Sequence, residues 1–224
     1  MRQLQKVLYR VGPNVFRNIM AIAVLAGICG CNVPVSVRYS PLASAESLIS
    51  GPEKPRVYVT RFIDEREKKG NIGRMNNMFG GKVKTLVTTD DFGLILAEAT
   101  TDALNKAGLN AEQHTDRTSG ENIPKSELTG FNYVMGGRIK ELEVISQPGW
   151  DTVKSNGRVV VDICIHCPTK KSKMEWIGPI EGTSDQRDFM YLNSNSLSGA
   201  LDQAIQNCMR NMIRHMKASG ALSS

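Results

Sequence analysis

The chain has 224 residues, 41% of them apolar and 6% aromatic, which is room for one modest globular core once any terminal segments are set aside. Its pI near 9.1 and formal charge of +6 overstate its basicity. Arg2, Lys6, Arg10 and Arg17 precede residue 31 with no acidic counterpart, and taking those four away leaves +2. No basic patch with interleaved aromatics is present, so the sequence excludes the electrostatic footprint of a nucleic-acid binder.

After the four basic residues comes Ile19 to Cys31, IMAIAVLAGICGC. An uncharged apolar run of this length, closing on small residues, has the order of a secretory signal and is too short for a bilayer span of ~20 residues. Its last four residues, Ile28-Cys29-Gly30-Cys31, resemble a bacterial lipobox, although Cys29 stands where Ala, Ser or Thr is usual. The reading is a signal peptide over 1–30 and diacylglycerol on Cys31 as the mature amino terminus. Asn32, where an Asp would resemble an inner-membrane retention signal, predicts an outer-membrane lipoprotein facing the periplasm. From 31 to 55 the chain carries Pro34, Pro41, Pro52 and Pro55, a composition that disfavours a continuous helix or central strand. It reads as a flexible tether, with Val33 to Tyr39 as a short extended piece able to pair with a sheet edge.

A single domain is expected over 56–218, followed by a disordered tail at 219–224. Arg56 to Ile63, RVYVTRFI, alternates in β-branched and aromatic residues and predicts a strand. Asp64 to Gly73 is charged and reads as a mobile loop leading to an exposed apolar tip at Met75, Met78 and Phe79, after which Lys82 to Thr88 alternates as a second strand. Thr89-Asp90-Asp91 supplies helix-capping acceptors, Phe92 to Ala107 has apolar residues at helical spacing, and Gly108 suits the stop. Leu109 to His114 predicts a short strand and Asp116 to Leu128 a polar loop. Phe131 to Ile145 alternates with a change of phase, read as a bulge at Gly136-Gly137. Arg158 to Cys167 is a strand with Val159, Val161, Ile163, Ile165 and Cys167 on one face. Pro168 to Lys173 is a turn, Met174 to Arg187 a last strand, and Leu197 to Met216 a second amphipathic helix. The order implies an α+β fold, a mixed or antiparallel sheet of about five to six strands with two helices packed on one face.

The strand Val57 to Phe62 continued by Asp64 and Arg66, then Ile72-Gly73, Gly80-Gly81, the helix ending at Gly108, the Val134-x-Gly136/Gly137-x-Ile139 strand and the closing amphipathic helix resemble the YajG-like family of bacterial lipoproteins. The likeness runs from about Arg56 to Met216, and PqiC-like transporter accessories share much of the pattern. The long 116–128 loop and the CxxC depart from it. What the resemblance implies is an envelope lipoprotein with no assigned reaction.

Cys164-Ile165-His166-Cys167 invites a redox, zinc or haem reading. Redox pairs open helices, where the dipole lowers the thiol pKa, whereas here both cysteines close a strand. Haem attachment needs His after the second Cys, and zinc would need two further ligands. Cys164, Cys167 and Cys208 are therefore read as core or disulfide cysteines, with a redox pair as the alternative and no metal or cofactor expected. Asp64, Glu65, Arg66 and Glu67 have no nucleophile or His nearby, and Phe79-Gly80-Gly81-Lys82 lacks phosphate-loop spacing. The interaction candidate is Arg66 with Met75, Met78 and Phe79, since interface cores favour Met, Phe and Arg. The expectation is a non-enzymatic scaffold or accessory subunit, lipid-anchored, binding an envelope protein and no small-molecule substrate. Alternatives are a lipid-binding transport accessory with a groove between the two helices and the sheet, and a periplasmic thiol oxidoreductase using Cys164 and Cys167.

Overall fold

The computed structural model describes residues 32–49, 51–168, 175–189 and 194–220. The expected signal peptide over 1–30, Cys31, residues 169–174 of the expected turn and strand start, and 221–224 of the expected tail lie outside the described residues.

In chain order the strands are β1 (Asn32–Pro34), β2 (Arg56–Arg61), β3 (Ile63–Asp64), β4 (Asn71–Asn76), β5 (Lys82–Val87), β6 (Asn110–Thr118), β7 (Tyr133–Pro148), β8 (Thr152–His166) and β9 (Glu175–Phe189). The helices are α1 (Phe92–Lys106), between β5 and β6, and α2 (Ser194–Ser219), which follows β9. The fold is α+β as expected, but the mixed sheet holds nine strands where five or six were predicted. Its spine is β7. One edge of β7 pairs antiparallel with β8 over nearly its whole length, and β8 pairs in turn with β9. Along the other edge β2, β3 and β4 follow one another, all parallel to β7, with β6 beyond β2, and β5 then β1 beyond β4.

Of the extra strands, β3 takes its Ile63 from the end of the strand expected over Arg56 to Ile63, while β4 comes from the segment read as a mobile loop. Arg66 folds it: its guanidinium grips Asp64 through Nε and Nη2 at 2.9 and 2.7 Å and donates to the carbonyls of Lys69 and Asn71 at 2.8 and 3.1 Å. That latch directs Asn71 onward as β4 beside β7, with Ile72 fully buried. The change of phase in β7 is also displaced from its expected place. The register slips between Ile139 and Glu141, so Met135, Ile139, Leu142 and Val144 all reach the core. Gly136 and Gly137 serve close approach: a Cβ on Gly136 would lie 2.0 Å from the Ser119 hydroxyl, and one on Gly137 2.5 Å from the Phe62 ring.

Asp91 caps α1, its side chain accepting from the amides of Gly93 and Leu94, and Gly108 follows the helix at φ +98°, where a side chain would be strained. Val159, Val161, Ile163 and Ile165 of β8 face the helices, as the alternation predicts. Gly157 and Gly182 lie under α2, where added Cβ atoms would come within 2.5 Å of the Ala200 carbonyl and 2.1 Å of the Ala204 carbonyl. The sheet thus admits the α2 backbone at close range.

The tether reading fails over most of its length. Val35, Val37 and Leu42 are core residues, and the Val35 amide donates to the Val87 carbonyl at 2.8 Å. Beyond Val35 the segment crosses both helices. Val37 N–H donates to Asp90, Ser40 N–H to Asp202 and Leu42 N–H to Asp102, while Leu48 N–H reaches the Ala107 carbonyl. Prolines forbid regular structure here, but three aspartates accept the amides that a ladder would otherwise satisfy.

Candidate functional site

Large apolar side chains that remain exposed among the described residues are Met78, Phe79, Val83, Trp150 and Trp176. Four of them sit at one end of the sheet. The β4–β5 hairpin turns there at Asn77 to Gly81, and the β7–β8 hairpin turns there at Gly149 to Asp151. Because β4 runs parallel to β7 with Met75 beside Ser146, the two turns are neighbours. Phe79 and Trp150 each stand four residues beyond that registered pair, 93% and 94% exposed.

The first tip is built by Asn77. Its side-chain oxygen accepts from the amides of Phe79 and Gly81 at 3.0 and 2.8 Å, and its own amide donates to the Gly81 carbonyl at 2.7 Å. Gly80 adopts φ +84° to complete the turn. The second tip closes with the Gly149 amide on the Thr152 carbonyl at 2.6 Å. Hydrogen bonds therefore fix both turns, and both aromatic rings are exposed at their tips.

The sequence-level interaction set divides. Met78 and Phe79 are exposed at the tip, whereas Met75 lies on β4, half-buried and packed against the core. Arg66 is an internal latch, its side chain only 7% exposed and its guanidinium near the Phe92 ring at 5.4 Å. Trp150 was missed. The available signal was an aromatic in a Pro-Gly turn between two strands, a place where apolar side chains have nothing to pack against.

Cys164 and Cys208 are free thiols, so none of the three disulfides that Cys164, Cys167 and Cys208 could form is present. Cys208 is buried on α2, its thiol 3.6 Å from the Ile180 carbonyl, and burial, with Glu181 adding to it, pushes its pKa up to about 12. Cys164 lies on the sheet face away from the helices, in the wall of a cavity of about 320 Å³ shared with Thr60, Val134, Leu128 and His166. Burial raises its pKa too, so it is held as a neutral thiol, the opposite of an activated nucleophile. On the same face Tyr58 stacks on His114 with centroids 3.8 Å apart, and Phe131 meets both edge-on.

The space expected to hold a lipid groove is packed. Leu96, Ala103 and Leu104 of α1 and Leu197, Leu201, Ala204 and Ile205 of α2 are all fully buried. No described helix is long and apolar enough to cross a membrane.

No family model matches the chain, and no curated protein matches it. Solved structures give distant likenesses. A Xanthomonas campestris protein of family DUF330 superposes with a TM-score of 0.48 at 7% identity, covering 87% of this chain and 100% of its own. A Helicobacter pylori protein described as a neuraminyllactose-binding hemagglutinin homolog gives 0.38 at 12% identity, covering 83% and 98%. A Chlamydia trachomatis hypothetical protein gives 0.41 at 12% identity, covering 74% and 97%. At these scores neither family nor function passes from them to this chain.

Proposed function

We propose that the chain is an envelope lipoprotein, held by lipid on Cys31, whose domain is a non-enzymatic accessory module or scaffold working by contact. The supporting observation is the gathering of exposed Met78, Phe79, Val83 and Trp150 at one end of an otherwise well-packed body. Exposed apolar groups grouped on preformed turns, and not scattered singly, mark a contact surface. The buried state of Cys164 weighs against the thiol oxidoreductase, and the filled helix–sheet interface against a lipid carrier. The likeness of motifs to YajG-like lipoproteins agrees with this reading.

A photo-crosslinking phenylalanine analogue placed at position 79 in cells tests it. Illumination should yield an adduct with an envelope protein or with lipid, while the same analogue at exposed Glu98 on α1 gives far less. Equal, background-level yields at both positions would remove the contact role from the tip.

A further inference from the structure

We propose that Asn207 and Asn211 of α2 guard the open edge of β9, occupying the backbone acceptors through which a second copy of this chain would add its own β9 to the sheet. The inference goes beyond the contact role given to the tips and does not rest on it.

β9 pairs with β8 on one side, and no described strand pairs with the other. A free edge of 15 residues would present a row of unpaired N–H and C=O groups, a template for a further strand. α2 runs along β9, and Gly182 lets it come close, because a Cβ there would meet the Ala204 carbonyl and the Cys208 amide. From that position the Asn207 side-chain amide donates to the Thr183 carbonyl at 2.7 Å and the Asn211 side-chain amide to the Glu181 carbonyl at 2.8 Å. Thr183 and Glu181 are two residues apart, so their carbonyls point the same way, and Asn207 and Asn211 are four apart on one face of a helix. Each spacing comes to about 6–7 Å. The two side-chain amides therefore stand in for the two backbone amides of an incoming strand.

The sheet's other long edge is closed by the same means from the other helix. Asn105, near the end of α1, accepts from the Ala111 amide at 2.7 Å and donates to the Ala111 carbonyl at 3.1 Å, which takes up both backbone groups of that residue of β6. Farther along, the register of β6 with β2 slips between Thr60 and Arg61, and a bulge of this kind also spoils an edge for pairing. Charge points to a second copy as the strand excluded from β9. Glu181, Thr183, Asp185 and Arg187 are the exposed alternate residues of β9. Two β9 strands paired antiparallel about Ser184 would set Glu181 opposite Arg187 twice. Pairing about Thr183 would oppose Glu181 to Asp185, and pairing about Asp185 would oppose that residue to itself.

Sedimentation equilibrium of the full chain in detergent micelles, over a range of concentrations, compares wild type with the double variant Asn207→Ala, Asn211→Ala. The double variant should dimerise at concentrations about tenfold below any at which wild type does, the effect of uncovering two backbone acceptors. In the dimer the Glu181 and Thr183 amides should exchange hydrogen more slowly than in the monomer. Adding Arg187→Glu should undo the association. A folded double variant as monomeric as wild type, or one whose association ignores Arg187→Glu, overturns the proposal. So does a dimer in which those amides exchange as fast as in the monomer. If the double change prevents folding, Asn211→Ala alone takes its place, and a folded Asn211→Ala chain that sediments like wild type overturns the proposal equally.

Discussion

Buried thiols and glycines carry the tightest constraints at the level of single residues. Cys208 sits between Ala204 and Met212 on the buried stripe of α2, and its raised pKa leaves almost no thiolate at neutral pH. A polar maleimide should label Cys208 in the native protein only after global opening, and raising the pH to 9 should accelerate it little. Mass mapping of the alkylated peptide checks this, and rapid native labelling would place Cys208 at the surface. Gly182 is a stricter case, because a Cβ there would lie 2.1 Å from the Ala204 carbonyl and 2.3 Å from the Cys208 amide, both backbone atoms of one helix. The helix must lift to admit a methyl group, so Gly182→Ala should cost about 3 kcal/mol by urea denaturation. Neither constraint could be weighed from sequence with equal ease. The apolar spacing of Ala204, Cys208 and Met212 announces a buried face, but a glycine in a strand does not say which element crosses it.

Elements with strong periodicity were legible, and those shaped by specific side-chain bonds were not. The cap, stripe and stop of α1 and the alternation of β8 follow from local rules. β4 hid because Gly73 and its polar neighbours look like loop, and only the Arg66–Asp64 latch, a pairing across two residues, turns the chain onto β7. The strap from Val33 to Leu48 was legible at its start, where the extended piece expected from Val33 does pair with the sheet edge at β5, but its course over the helices hid behind its prolines, since its partners Asp90, Asp102 and Asp202 are far away in sequence. Asp102 is the centre of that strap. It accepts from the Tyr39 hydroxyl at 2.7 Å and the Leu42 amide at 2.9 Å, and pairs with Lys106 at 3.0 Å. Burial pushes the Asp102 carboxyl up, but the bonds from Tyr39, Lys106 and Leu42 outweigh it and hold the group below its ordinary value. A carboxylate with a lowered folded pKa stabilises fully above its unfolded pKa of about 4 and loses that contribution as pH falls through the folded value. Asp102→Ala should therefore lower stability by about 1–3 kcal/mol at pH 7, the range for orphaning a partly buried amide donor. The gap from wild type should narrow below about pH 4. Thermal melts of both proteins at pH 7 and pH 3 test the sign, and a gap that widens in acid would contradict the role given to Asp102.

Taken whole, the described body takes up much of the segment expected to be a tether, since packing begins at Val33 and Val35 is already core. A long tether would let a lipid-anchored domain reach partners away from the bilayer, whereas a short one would hold it near the surface. Magnitudes then divide the work between lipid and rings. Each acyl methylene contributes about 0.8 kcal/mol and several chains together hold a protein almost permanently. Burying Phe79 and Trp150 contributes only a few kcal/mol more on the scale of about 1.5–3 kcal/mol per large apolar side chain. With lipid on Cys31 as proposed, the acyl groups and not the exposed rings should hold the protein. Two variants separate these roles: Cys31→Ala should appear in the soluble fraction after cell lysis with the melting temperature of wild type, and Phe79→Ser with Trp150→Ser should remain in the membrane fraction. Intact-mass analysis of the membrane-bound form should show residues 1–30 removed and lipid added at Cys31. If the Cys31→Ala protein stays with membranes, or if the tip variant leaves them while its acylation is intact, the division is wrong and the rings, or a surface not yet identified, hold the protein in place.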